Sequence, residues 1–227
     1  MSARHHPDPQ ARLAALAALL ADPSTSWGRI VTCLACWPAA LDASPAIAAV
    51  EAVADRWPAP GRGLSRLAVR QLLAGDVRPY LRLVRALDLR PLWSMRDHPV
   101  LLERMLAAGG MRQLVAFTTR YDRGDALIRL LTAHIVGLRH LSISGSSVGP
   151  DGARRLGECP ALAGLQRLAL HNNELGDLGA EALLASPYLV DLHALNLYNN
   201  RLSAAMVERI RGAPQWRGAT IIIHNQR

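Results

Sequence analysis

The chain has 227 residues, half of them apolar, and a formal net charge of +8. That length and apolar content exclude general disorder and allow one large or two small domains with a buried core. Aromatic residues make up only 4% and the one Phe is Phe117, so Leu and Ala must build most of the core, which favours helices and repeats over a β-sandwich.

All 26 basic residues are Arg. Total avoidance of Lys, with abundant Ala, Leu, Gly and Pro, reads as the coding bias of a GC-rich bacterial genome, which weakens any step from basic charge to partner. Residues 1–137 hold 17 Arg against 11 acids and residues 138–227 hold 9 against 7, so the excess lies mainly in the first part. Three cysteines cannot form a disulfide framework and suit a reducing, cytoplasmic compartment.

The first 83 residues read as a helical region punctuated by Pro and Gly, with pieces near 10–21, 25–40, 45–57, 63–74 and 77–88. Residues 13–21 are apolar and follow Arg4 and Arg12, as in a secretion signal. Pro7, Asp8 and Pro9 precede them, and Leu13, Leu16 and Leu20 share one helical face, so a packed helix is the expectation. No apolar run reaches the ~18 residues of a membrane span. Cys33-x-x-Cys36 has the spacing of half a zinc site or a redox pair. Zinc would need His5 and His6, which precede a Pro-rich turn, and a redox motif needs a βαβ setting. Two small residues on one helix face is the plainer reading. Ile47, Val50 and Ala54 form a buried helical stripe. Arg62, Arg66 and Arg70 are four apart, with Arg78, Arg82 and Arg85 close behind; such a face could contact phosphate or nucleic acid, or be plain solvated surface.

From Leu138 the chain repeats at a spacing of 27. Leu138, Leu165 and Leu192 align, as do Leu141, Leu168 and Leu195, then Ile143, Leu170 and Leu197, then Val148, Leu175 and Leu202. Ala153, Ala180 and Val207 form a further column, followed by Leu156, Leu183 and Ile210, by Pro160, Pro187 and Pro214, and by Leu162, Leu189 and Trp216. In each copy L-x-x-L-x-L alternates like a strand, a turn follows at Gly149 or Gly176, and residues 151–157 and 177–185 are spaced as a helix. Asn173 and Asn200 stand where an inward amide can satisfy the bend, and Ser146 replaces them in the first copy. The phase extends upstream through Met111, Leu114 and Ala116 and again through Val84, Leu87 and Leu89. Downstream, residues 221–225 repeat the strand with one residue deleted. The expectation is five or six repeats over 84–227, degenerate over 84–137 and clear over 138–227. The N-terminal helices are expected to cover the first of them, since an uncapped stack exposes its apolar core.

These columns resemble the ribonuclease-inhibitor-like class of leucine-rich repeats. The resemblance implies an α/β solenoid, with parallel strands on the concave side and helices outside, preceded by the α-helical region. Ala18-Leu-Leu-Ala-Asp-Pro23, with Arg29-Ile-Val31 after it, resembles a degenerate form of the small repeat-companion domain that precedes such repeats in some high-GC bacteria. The acidic motif of that domain is replaced here by Thr32 to Trp37.

Gly145-Ser146-Ser147-Val148-Gly149 matches the G-x-S-x-G of a nucleophile elbow, yet the repeat alignment equates it with Asn172 to Gly176, an ordinary turn. No catalytic residue, cofactor or metal site is expected. The concave columns read Phe117, Ser144, His171, Tyr198, His224; then Gln113, His140, Arg167, Ala194; then Val115, Ser142, Ala169, Asn196. Strands ~4.8 Å apart put His171 and His224 roughly 10 Å from each other, too far for one metal ion. His140, Arg167, His171, Asn196, Tyr198 and His224 are therefore the candidate partner-binding set, of the types that adaptable interfaces use. The expected function is non-catalytic protein recognition. Nucleic-acid or phosphate binding through Arg62, Arg66, Arg70, Arg82 and Arg85 is the alternative, and regulation of a partner enzyme a third. Ribonuclease inhibitors are acidic and meet a basic target; this chain is basic, which argues for an acidic partner. The last strand, residues 221–223, is expected to leave an open edge that invites self-association.

Overall fold

The computed structural model describes residues 8–58, 61–76, 78–89, 114–120, 123–224 and 226. The protein is α/β, with eight α-helices among the described residues and one six-stranded sheet. The strands follow chain order: β1 (Ala86–Asp88), β2 (Ala116–Thr119), β3 (His140–Ile143), β4 (Arg167–Ala169), β5 (Ala194–Asn196) and β6 (Thr220–Ile222). Every pairing from β2 to β6 is parallel. The chain divides into two compact units, and the division falls between Leu87 and Asp88, within β1.

The first unit is helical. Asp8 starts α1 (Pro9–Ala21) by accepting from the backbone N–H of Gln10 and Ala11, with Pro9 at the first helical position where its missing N–H costs nothing. α2 (Trp27–Ala35) is shorter than its periodicity suggests, because Pro38 lies ahead and the turn closes through Trp37 N–H to Leu34. α3 (Ser44–Glu51) likewise stops early and is followed by one 3-10 turn at Ala54–Arg56. α4 (Arg66–Leu73) begins at Ser65, whose hydroxyl accepts from Ala68 N–H. Leu16, Ile30, Leu34, Ile47, Val50 and Leu72 are fully buried between these helices. Trp27 and Trp57 meet edge to face at 5.8 Å, and each indole N–H reaches a backbone carbonyl, Gly63 and Thr25 respectively.

The expectation of a helix over 77–88 is wrong. Pro79–Leu83 is a 3-10 turn and Ala86–Asp88 is a strand. The N–H groups of Arg85 and Ala86 do not turn back four residues; both donate to the Arg62 carbonyl, at 2.9 and 3.1 Å.

The second unit is regular. After β2, β3, β4 and β5 come α5 (Gly124–His134), α6 (Pro150–Gly157), α7 (Gly176–Leu184) and α8 (Ala204–Arg211). Leu131 of α5 and Leu156 of α6 line one apolar pocket with Leu138 and Leu141, which identifies the helix-covered face of the sheet. Each buried Leu of that face contributes on the order of 2 kcal/mol by leaving water. Glycines let helices and turns approach closely: a Cβ on Gly157 of α6 would lie 2.6 Å from the Ala182 carbonyl oxygen of α7, and one on Gly124 would lie 2.5 Å from the Ser146 carbonyl oxygen. The bends recur at 27 residues. Gly145, Asn172 and Asn199 all take a left-handed backbone, φ +53°, +56° and +53°, a region that Gly and Asn tolerate best.

The pairing corrects the upstream phase. Phe117 pairs with Leu141 and Thr119 with Ile143, a spacing of 24 rather than 27. Leu114, Phe117 and Thr119 therefore occupy the columns that the sequence assigns to Met111, Leu114 and Ala116; Met111 itself lies outside the described residues. Leu89 N–H donates to the Thr118 carbonyl as Leu170 N–H does to Asn196, so Leu89 does stand in its expected column. A longer first interval and a shorter second one cancel.

Candidate functional site

The sheet face away from the helices carries the candidate residues. Along β3 to β6 the outward positions are His140 and Ser142, Arg167 and Ala169, Ala194 and Asn196, Thr220 and Ile222, all exposed or half-buried. Just past the strand ends come Ser144, His171, Tyr198 and His224. The carbonyls of the last three accept the N–H groups of Gly145, Asn172 and Asn199, at 3.1, 2.9 and 3.4 Å. Those bonds hold the three residues in one row across neighbouring strands. Tyr198 and His224 meet edge to face with ring centroids 5.1 Å apart.

Phe117 does not belong to this row. It is fully buried on the helix side, because the shift in register turns it inward. Arg120 takes its place beside Ser144, with its guanidinium against Gly145. Ala116 and Thr118 likewise replace Gln113 and Val115 in the other columns; Gln113 lies outside the described residues. Sequence reasoning missed Arg120, and aligning Leu114-x-x-Phe117 with Leu138-x-x-Leu141 would have found it.

Below the row lies an amide ladder. The buried Asn173 side chain accepts from Ser146 N–H and Val148 N–H and donates to the carbonyls of Ile143 and Leu170. Gln226 repeats the pattern further along the sheet. Its Oε1 accepts from Asn200 N–H and Leu202 N–H, and its amide donates to Leu197 and Ile223. This ladder fixes the turns that follow β3 and β5.

His140 lies directly across from Arg167. Burial, and then the Arg167 charge, hold its imidazole below the ordinary histidine value, which favours the neutral ring. Asn196 Oδ1 accepts Tyr198 N–H at 3.0 Å, leaving the amide NH2 as the group for a ligand. No cluster of His, Cys, Asp or Glu among the described residues could hold a metal ion. Cys33 and Cys159 are buried and Cys36 is half-buried, while His5 and His6 lie outside the described residues. Ser147 does have a left-handed backbone, φ +51°, but Arg201 at the same repeat position has φ +58°, so the conformation belongs to the turn and not to a nucleophile.

The arginines of the first unit are mostly engaged. Arg62 donates to the Trp57 carbonyl and Arg85 to that of Arg82. Arg78 binds Asp76 and the Trp37 carbonyl, and Arg82 pairs with Glu51 at 2.9 Å. Arg66 and Arg70 are exposed on α4. No helix among the described residues is long and apolar enough to cross a membrane. Compared with known proteins, the chain matches no family model and no curated sequence, and the reading of this face rests on its own geometry.

Proposed function

We propose that the chain is a leucine-rich-repeat protein of the ribonuclease-inhibitor-like kind, a solenoid that binds a protein partner on its uncovered sheet face and has no catalysis of its own. One observation carries the reading: His171, Tyr198 and His224 stand in a row fixed by backbone hydrogen bonds, beside Arg167 and Asn196, on a face the helices leave open. Rigid strands presenting Tyr, His, Arg and Asn supply contact area and hydrogen bonds at little entropic cost. The working compartment is the cytoplasm, in keeping with an odd number of thiols.

The test replaces His171 and Tyr198 with Ala and follows partner capture by affinity purification and mass spectrometry. Both side chains are half-exposed, so the fold should survive. A partner recovered with the wild type and lost with the double variant supports the reading; identical capture by both removes it. Anion binding by the N-terminal arginines has weaker support, since Arg62, Arg82 and Arg85 already bond within their own unit.

A further inference from the structure

The uncovered face is one-sided in its chemistry. The strands β2 to β6 contain no Asp or Glu at all. The one acid among the strands is Asp88, on β1, two strands beyond β3. At the turn end Glu174 sits 3.6 Å from Arg201. The other ion pairs among the described residues of this unit lie on the helices: Arg154 with Glu158, Arg209 with Glu181, Arg211 with Glu208. Arg167 has no carboxylate partner among the described residues and is exposed at the middle of the face.

The remaining groups are donors or can act as donors: the hydroxyls of Ser142, Ser144 and Tyr198, the Asn196 amide, and the rings of His140, His171 and His224. Asn196 has already used its oxygen internally. A face rich in donors, with no carboxylate on β2 to β6, complements a ligand rich in acceptors with negative charge.

We infer that this face takes an acidic polypeptide segment, with a carboxylate on Arg167 beside His140 and further acceptors along the row His171, Tyr198 and His224. The inference rests on the proposed binding face and adds the chemistry of the occupant. A nucleic acid fits less well. Its affinity comes from neutralising several phosphates with permanent cations, and the face offers few: Arg167 on β3 to β6, with Arg120 beside Ser144. An apolar partner fits less well too, since Ile222 is the one large exposed hydrophobe on these strands.

The experiment uses the full chain and three fluorescent probes: an oligo-glutamate peptide, an oligo-glutamine peptide of equal length, and a single-stranded oligonucleotide. Oligo-glutamate should bind about tenfold more tightly than oligo-glutamine, and Arg167→Ala should remove most of that difference. Ala194→Glu gives an independent check. It sets a carboxylate directly across from Arg167 on the half-exposed side of β5 and should block the peptide without disturbing the core. Arg66→Ser with Arg70→Ser should leave peptide binding intact. Equal affinity for both peptides overturns the proposal, as does indifference to Arg167→Ala and Ala194→Glu in folded protein. Tighter binding of the oligonucleotide, sensitive to Arg167, assigns the face to nucleic acid and overturns it as well. Capture lost with the His171 and Tyr198 variants while oligo-glutamate fails to bind overturns the acidic occupant yet leaves the binding face standing.

Discussion

The two units use their polar groups in opposite ways. In the helical unit, arginine side chains reach backbone carbonyls that occur once: Arg12 to Cys36, Arg56 to Leu20 and Asp22, Arg62 to Trp57, Arg78 to Trp37. Trp27 and Trp57 do the same with Gly63 and Thr25. In the repeat unit the bonds recur at a fixed offset: Ser146 to Asn173, Asn199 to Asn172 and Trp216 to Leu189 all span 27 residues. Charge therefore means different things in the two halves. Much of the positive excess of the first part is taken up in holding carbonyls at helix ends, where guanidinium geometry suits it. The second part pairs Arg154, Arg209 and Arg211 of its helices with acids, while Arg167 on the sheet has no carboxylate partner among the described residues.

If periodic bonding is what holds the second unit, removing one rung should cost more than any single cap of the first. Asn173→Ala orphans two buried N–H groups and takes a donor from the carbonyls of Ile143 and Leu170, of which Leu170 keeps the Asn200 amide, and we expect a loss of about 3 kcal/mol in denaturant unfolding. Asn200→Ala should cost roughly half as much, because the Asn200 carboxamide oxygen has no partner among the described residues. Equal losses would mean that the rungs are equivalent and that this asymmetry has no energetic consequence.

Glycine substitution sharpens the contrast next. Gly124→Ala drives a Cβ to 2.5 Å from both the Ser146 carbonyl oxygen and a Val148 methyl, and should destabilise by about 2 kcal/mol. Gly28→Ala in α2 meets nothing within 4 Å and should raise stability slightly, by up to ~1 kcal/mol through helix propensity. Thermal unfolding of the two variants would settle whether such close approach at a glycine is confined to the repeat.

The same contrast decides what the sequence revealed. The repeat was legible from Leu138 onward because each buried column must be apolar and each bend must carry Gly or Asn. Upstream the signal failed at two points. Thr119 fills a buried column that elsewhere holds Ile or Leu, and the intervals on either side of Leu114 depart from 27 in opposite senses. Met111, Leu114 and Ala116 then gave a spurious match, which carried Phe117 onto the wrong face and hid Arg120. The strand at β1 was read as helix for a related reason: its N–H groups bond to Arg62, a partner that no local pattern announces. Of the candidate site, the row His171, Tyr198 and His224 and its neighbour Arg167 were readable from the columns. The engagement of Arg62, Arg78, Arg82 and Arg85 was not, since those partners are one-off contacts.

The smallest expected effect concerns pH, and it too separates the units. His140 is held below its ordinary value by burial and by Arg167, so the folded state favours the neutral ring more than the unfolded chain does. Above the unfolded value, near 6.5, neither state carries the proton and His140 contributes no pH dependence. As the pH falls through that value the unfolded chain takes up a proton that the folded one resists, and stability drops. The loss levels off only below the folded value, where both states are protonated. The first unit has no histidine among its described residues, so this component should be felt in β3 and β4 and not in α2 or α4. Hydrogen exchange of the strand and helix amides on either side of pH 6.5 would locate it, and His140→Gln should flatten the strand component while leaving the helices as they were. Arg167→Ala should bring the His140 titration, followed by NMR, back towards its ordinary value, since one of its two causes is gone. A carboxylate docked on Arg167 should move it the same way, so the titration also reports on occupancy of the face.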